Sequence, residues 1–171
     1  MTTTDVANAD ALQKLRDLTS SIHVAMLTTV EEDGSLRSRP MGTQALDQDG
    51  CYWLFTEAAA DKVGDVQHDQ QVNLAYSHPS DRWVSVSGTA TLVRDAAKQR
   101  ELWNTFVQAW FPGGPDDPSV ALLRVQVSSA EYWESPGGKV VQLFKLMRSA
   151  MTHKPPTDIG KSETLTVHGS A

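Results

Sequence analysis

A single cysteine, Cys51, occurs in the whole chain. That scarcity excludes an intrachain disulfide and a zinc site built on cysteine ligands. Positive charge is also short, with a formal net charge of -6 at pH 7. A nucleic-acid surface needs clustered Lys and Arg, so this balance argues against one while leaving room for a small basic pocket. No apolar run approaches the roughly 20 residues that a membrane helix requires. The opening stretch, 1–10, is polar and lacks the charged-then-apolar pattern of a signal peptide. The expectation is a soluble, cytoplasmic protein with no membrane or nucleic-acid partner. His23, His68, His78, His153 and His168 show no metal-ligand spacing, so no metal is expected. Glycine-rich nucleotide loops are missing. Ser85-Val-Ser-Gly88 lacks the first glycine of a Gly-x-Ser-x-Gly nucleophile elbow. No internal repeat is evident.

What remains is a chain of 171 residues, 40 % hydrophobic, enough for one domain with a substantial core. The reading places that domain at 1–151 and a polar, flexible tail with paired prolines at 152–171. Leu12, Leu15 and Leu18 recur at helical spacing and predict a helix over Asp10–Ser20. Strands are predicted over Ile22–Val30, Ser35–Ala45 and Cys51–Thr56. Glu31-Glu-Asp-Gly34 and Asp47-Gln-Asp-Gly50 supply the turns of a three-stranded meander. A helix over Ala58–Asp69 and strands over Gln71–Ser77 and Trp83–Val93 follow, with Gly88 marking a bulge or close backbone approach. Asp95–Trp110 reads as one helix with Asp95 as its N-cap, stopped by Pro112. Val120–Val127 and Ala130–Glu134 return to strand, and a further strand turning into helix is expected from Lys139. Helices inserted between strands, rather than alternating with them, point to a mainly antiparallel β-barrel and not a doubly wound parallel sheet.

Four segments carry the chemistry: Arg37-Ser-Arg-Pro-Met41; Leu54-Phe-Thr56 with Lys62 six residues later; Trp110-Phe-Pro-Gly-Gly-Pro-Asp-Asp-Pro118; and Glu131-Tyr-Trp133. A phosphate monoester wants charge-assisted donors. Arg39 offers a planar fork, Lys62 a point charge, and Thr56 a hydroxyl at a strand end. Backbone N–H groups of a helix starting near Ala58 would face the same spot. Pro40 biases Arg39 toward an extended backbone and suits a sheet rim. Read singly, Arg39 and Lys62 are more often solvated strand-end and helix-surface charges than ligand-binding groups. Each tryptophan, taken alone, is more often core packing, and Trp83 and Trp103 are assigned to the core. The Phe111–Pro118 loop divides evenly between bordering a ligand and merely joining helix to strand.

In this order the segments resemble the general stress protein 26-like branch of the pyridoxamine 5'-phosphate oxidase-like, FMN-binding split β-barrels, over about Leu15 to Met147. The resemblance implies non-covalent FMN, with FAD or the deazaflavin F420 as alternatives, lying at a homodimer interface. It assigns Arg39, Thr56 and Lys62 to the flavin phosphate. Strand residues Met26–Thr29, with Thr28 among them, and Arg37–Met41, with Ser38 and Pro40, would supply backbone groups to the ring edge, and Phe55 is counted among the cofactor-binding residues. Trp110, Phe111 and Trp133 would form its walls, some of them from the second subunit. Where the oxidases place Ser-Arg-Lys, this chain has Ala60-Asp61-Lys62, with Asp61 expected to face solvent or pair with Lys62. That departure speaks against pyridoxamine phosphate oxidation and not against flavin. The implied function is flavin binding of the general stress type; the alternative is an FMN- or F420-dependent oxidoreductase or flavin reductase. His23 and Tyr132 are acid–base candidates by type only, and no catalytic residue is assigned.

Overall fold

The computed structural model describes residues 3–80, 82–134 and 161–166. Helix α1 (Thr3–Thr19) begins earlier than its leucine spacing predicts and buries Leu15 and Leu18. Strands β1 (Val24–Val30) and β2 (Leu36–Gly42) form the expected hairpin, with Gly34 at φ 83° in the turn. Strand β3 (Cys51–Glu57) is followed by α2 (Asp61–His68), β4 (Gln71–Ser77) and β5 (Arg82–Val93). Two short helices, α3 (Ala96–Leu102) and α4 (Thr105–Trp110), precede β6 (Val120–Glu134), and β7 (Lys161–Thr166) pairs with β6. No helix among the described residues is long and apolar enough to cross a membrane.

All pairings are antiparallel, in the order β2-β1-β4-β5-β6-β3. The three-stranded meander is therefore corrected: β3 leaves the hairpin and pairs along its full length with β6. Burial explains why. Six of its seven residues are buried, on both faces, because beside β6 one face meets the barrel core and the other is covered by α4. Tyr52 and Leu54 face the main core. Cys51, Trp53 and Phe55 face a second cluster closed by Val107 and Val120. The two end strands of the order, β2 and β3, meet at one isolated bridge, Thr43↔Leu54, so the sheet curls on itself without closing. This is a split barrel with inserted helices.

The single helix expected over Asp95–Trp110 is two. Asp95 does cap α3, accepting from the N–H groups of Ala97 and Lys98. Trp103 then turns extended, and Asn104 caps α4 by accepting from Val107 N–H. A second N-cap ends one helix by starting another. Likewise Val120–Glu134 is one strand, kept continuous by a bulge. Register shifts between Ser87 and Gly88, and Ser128 becomes the extra residue of β6. Gly88 is needed there for space, since a Cβ would lie 2.2 Å from the Gln126 carbonyl oxygen. Gly88→Ala is expected to cost about 2 kcal/mol by forcing the two strands apart, seen as a melting temperature lower by roughly 4–8 °C. Residues 161–166, within the stretch read as a tail, form β7; the strand and helix expected from Lys139 lie outside the described residues.

Candidate functional site

The barrel rim where β2, β3, α2 and α4 converge encloses a cavity of about 450 Å³. Its walls include Pro40 and Met41 of β2, Phe55 and Thr56 of β3, Lys62 of α2 and Trp110 of α4. Local structure explains the gathering. Thr56 is buried near the end of β3, opposite Ala121. A short turn then starts α2, whose Val63 and Val66 are buried, leaving Lys62 on the side facing the cavity. From α4, Val107 is buried while Trp110 stands 71 % exposed at the mouth.

Electrostatics distinguish Lys62. Burial, and after it the positive charge of Arg39, hold its pKa below the usual lysine range, with Glu57 and Asp61 acting in the opposite sense. Asp61 itself is exposed, as read. Two cations near enough to repel make a place where an anion is favoured. The Thr56 hydroxyl donates to its neighbour Glu57's carbonyl at 3.2 Å, a weak contact that it can exchange.

Arg39 stands behind this cavity rather than in its wall. Its guanidinium makes an ion pair with Asp65 Oδ2 at 3.0 Å and also donates to Thr29 Oγ1. The Thr29 hydroxyl in turn donates to the same carboxylate oxygen at 2.7 Å. The side chains of Arg39 and Asp65 are only 18 % and 14 % exposed. Asp65, one turn beyond Lys62 on α2, escapes the sequence reading. Its only signal is the i,i+3 spacing that puts both on one helix face.

The other expected site residues lie elsewhere in this chain. Arg37 is exposed and ion-paired with Glu31 at 3.1 Å. Thr28 and Ser38 face outward from the sheet with their hydroxyls 2.7 Å apart. Trp133 is opposite Trp83 at the far end of β5 and β6, about twelve residues along β6 from Thr56's partner Ala121, some ~40 Å of strand. Trp83 is 45 % exposed, which corrects its assignment to the core; its side of β5 is the outer one. Trp103 does pack inward, edge-on to Phe55 with centroids 5.4 Å apart. The Tyr132 hydroxyl donates to Glu163 of β7 at 2.7 Å, and that bond and burial push its pKa up to about 12. Phe111 lines the cavity, and the loop after it is pinned by Gly114 at φ 88° and an Arg100–Asp116 ion pair. Among the described residues no group of three or more His, Cys, Asp or Glu is placed to hold a metal ion.

The chain and its fold are similar to those of known proteins. The family described as "Pyridoxamine 5'-phosphate oxidase like" matches residues 10–157. Protein bli-3 of Neurospora crassa is 33 % identical over 159 residues, covering 85 % of this chain and 76 % of that protein. A Jannaschia sp. structure described as general stress protein 26 superposes with TM-score 0.70 at 28 % identity, covering 92 % of this chain and 99 % of the other. The general stress FMN/FAD binding protein of Xanthomonas citri gives TM-score 0.64 at 31 % identity, over 75 % and 91 % of the two chains.

Proposed function

The chain belongs to the pyridoxamine 5'-phosphate oxidase-like family, and on that premise we propose that it is a cytoplasmic flavin-binding protein of the general stress type, holding FMN non-covalently in the Lys62 cavity. The observation that carries this reading is the pairing of an aromatic-walled slot with a partly buried lysine whose charge is opposed by a second cation. Phe55, Phe111 and Trp110 suit the flat apolar ring. Lys62 and the Thr56 hydroxyl suit the phosphate, and Arg39 supports it from behind with its positive charge. FMN, when bound, supplies the redox chemistry; the chain's residues bind, orient and shield it.

A homodimer is part of the proposal. Val24, Met26, Trp83 and Trp133 are between 39 % and 46 % exposed on the outward face of β1, β5 and β6, beside Thr28 and Ser38. Exposed apolar side chains on one sheet face suit burial against another protein surface. A second copy seated there would also bring Trp133, Thr28 and Ser38 toward the partner's flavin. Sedimentation should then give a dimer that Trp83→Glu dissociates, with weaker FMN binding. Full FMN affinity in a monomeric variant would remove the interface from the site.

Fluorescence titration with FMN, riboflavin and F420 in parallel tests the cofactor. FMN is expected to bind at least tenfold tighter than riboflavin, because each charge-assisted phosphate contact contributes roughly 1.5–3 kcal/mol. Equal affinities would take the phosphate, and with it FMN over riboflavin, out of the proposal. The alternative, an FMN- or F420-dependent oxidoreductase, gains from a second cavity next to the first and sharing Gln44 and Phe106 with it. NAD(P)H oxidation with added FMN, no faster than with free flavin, would remove the reductase version.

A further inference from the structure

Next to the Lys62 cavity lies a second one of about 370 Å³, where the end of α1, the start of β1 and the end of β2 meet. Its floor is formed by Tyr52 and Tyr76, whose rings are 5.5 Å apart. The two hydroxyls differ. Tyr52 shares a 2.8 Å hydrogen bond with Thr19. Among the described residues the Tyr76 oxygen, on a residue only 2 % exposed, has no hydrogen-bond partner; Thr43 and Tyr52 are near it but neither reaches bonding geometry.

A buried, unsatisfied hydroxyl opposes folding, and native structures keep few of them. One water would satisfy it. The cavity, however, corresponds to about a dozen waters at ~30 Å³ each. Its lining is also selective. Thr43 and Asn104 add polar groups, Ile22 and Phe106 add apolar wall, and among the described residues no Asp, Glu, Lys or Arg lines it. Apart from its tyrosines, His23 is the one ionisable side chain among the described lining residues. Without a counter-charge, an ionised ligand would lose hydration and recover little. Burial holds the Tyr76 hydroxyl well above its usual pKa, so it remains a donor.

We propose that this cavity binds a small uncharged molecule that turns a carbonyl oxygen to the Tyr76 hydroxyl and lays an apolar body against Phe106. The assignment goes beyond flavin binding and does not depend on it.

Calorimetry and ligand-observed NMR at pH 8, on the flavin-free full chain, test it with benzamide and acetophenone against benzoate and benzylamine. The neutral pair should bind saturably and shift the amide resonances of Thr43 and Asn104, while the charged pair should bind at least tenfold more weakly. Tyr76→Phe removes only the orphan hydroxyl. It should melt no lower than the parent and bind benzamide about tenfold more weakly. Phe106→Ala, which removes the apolar wall the ligand would lie against and is half exposed, carries the same test should the tyrosine variant fail to fold. Three results would overturn the proposal: no saturable binding of either neutral probe, benzoate binding as tightly as benzamide, or unchanged benzamide affinity in the variant that folds. Failure of FMN to bind would leave these outcomes untouched, so the two readings fail separately.

Discussion

Arg39→Ala is expected to lower the stability of the chain by about 2–4 kcal/mol, a loss of roughly 10 °C in melting temperature. The sequence alone predicts otherwise: an arginine reserved for a phosphate can be removed at little cost to folding. In the structure its guanidinium is the counter-charge of Asp65, and both groups also meet the buried Thr29. Taking Arg39 away leaves a carboxylate that is 14 % exposed with a hydroxyl donor but no cation. Breaking a fully buried pair from one side costs about 3–5 kcal/mol, and partial exposure lowers that here. The double variant Arg39→Met with Asp65→Leu should recover most of the loss, because apolar groups of similar size often replace a buried pair at no net cost. Denaturant melts of parent, single and double variants measure this. A single variant within about 0.5 kcal/mol of the parent would put the pair among ordinary surface bridges and return Arg39 to the phosphate alone.

The same pair marks where sequence reasoning stops. Features set by neighbours in the chain were legible: the Gly34 hairpin, strand Gln71–Ser77, the Asp95 cap and the irregularity at Gly88. The cap at Asn104 was equally local, yet Leu102, Phe106 and Val107 kept a helical spacing across it and masked the break. Partners distant in sequence were not legible. Nothing near β3 says that it pairs with β6, although its nearly unbroken apolar run hints that both of its faces are covered. Alternation in β5 puts Val84, Val86 and Ala90 on the covered face and Trp83 with Ser85 and Ser87 on the other, so assigning Trp83 to the core follows its residue type against its place in the pattern. At the site, Pro40, Met41, Phe55, Thr56, Lys62 and Trp110 come together around one cavity because strand ends and helix starts gather at a barrel rim. Asp65 stayed hidden because an acidic residue on a short helix reads as solvated surface until α2 is laid over β1.

Lys62→Ala should weaken FMN ten- to a hundredfold while leaving the fold intact. Stability is not at risk. A lysine whose folded pKa lies below its unfolded value opposes folding while charged, and that cost fades only as pH rises through both values. Burial and the Arg39 charge depress Lys62 in this way, so its truncation removes a small destabilising contribution. Binding is the reverse case. A phosphate, dianionic above about pH 6, favours the ammonium form and raises the lysine pKa in the complex. FMN affinity should therefore rise as pH passes about 6, stay level, and fall as pH passes the free-protein pKa of Lys62, sooner than an ordinary lysine would dictate. In Lys62→Ala the part of the alkaline fall that riboflavin does not share should vanish and the acid one remain, since the latter belongs to the phosphate. Riboflavin carries the ring's own alkaline ionisation but no phosphate, so it should lack the acid change and sets the reference for the alkaline one. Arginine does not titrate in this range, so an alkaline fall in Lys62→Ala beyond that of riboflavin would have to come from another group of the protein, and Lys62 would then not be the phosphate's cation.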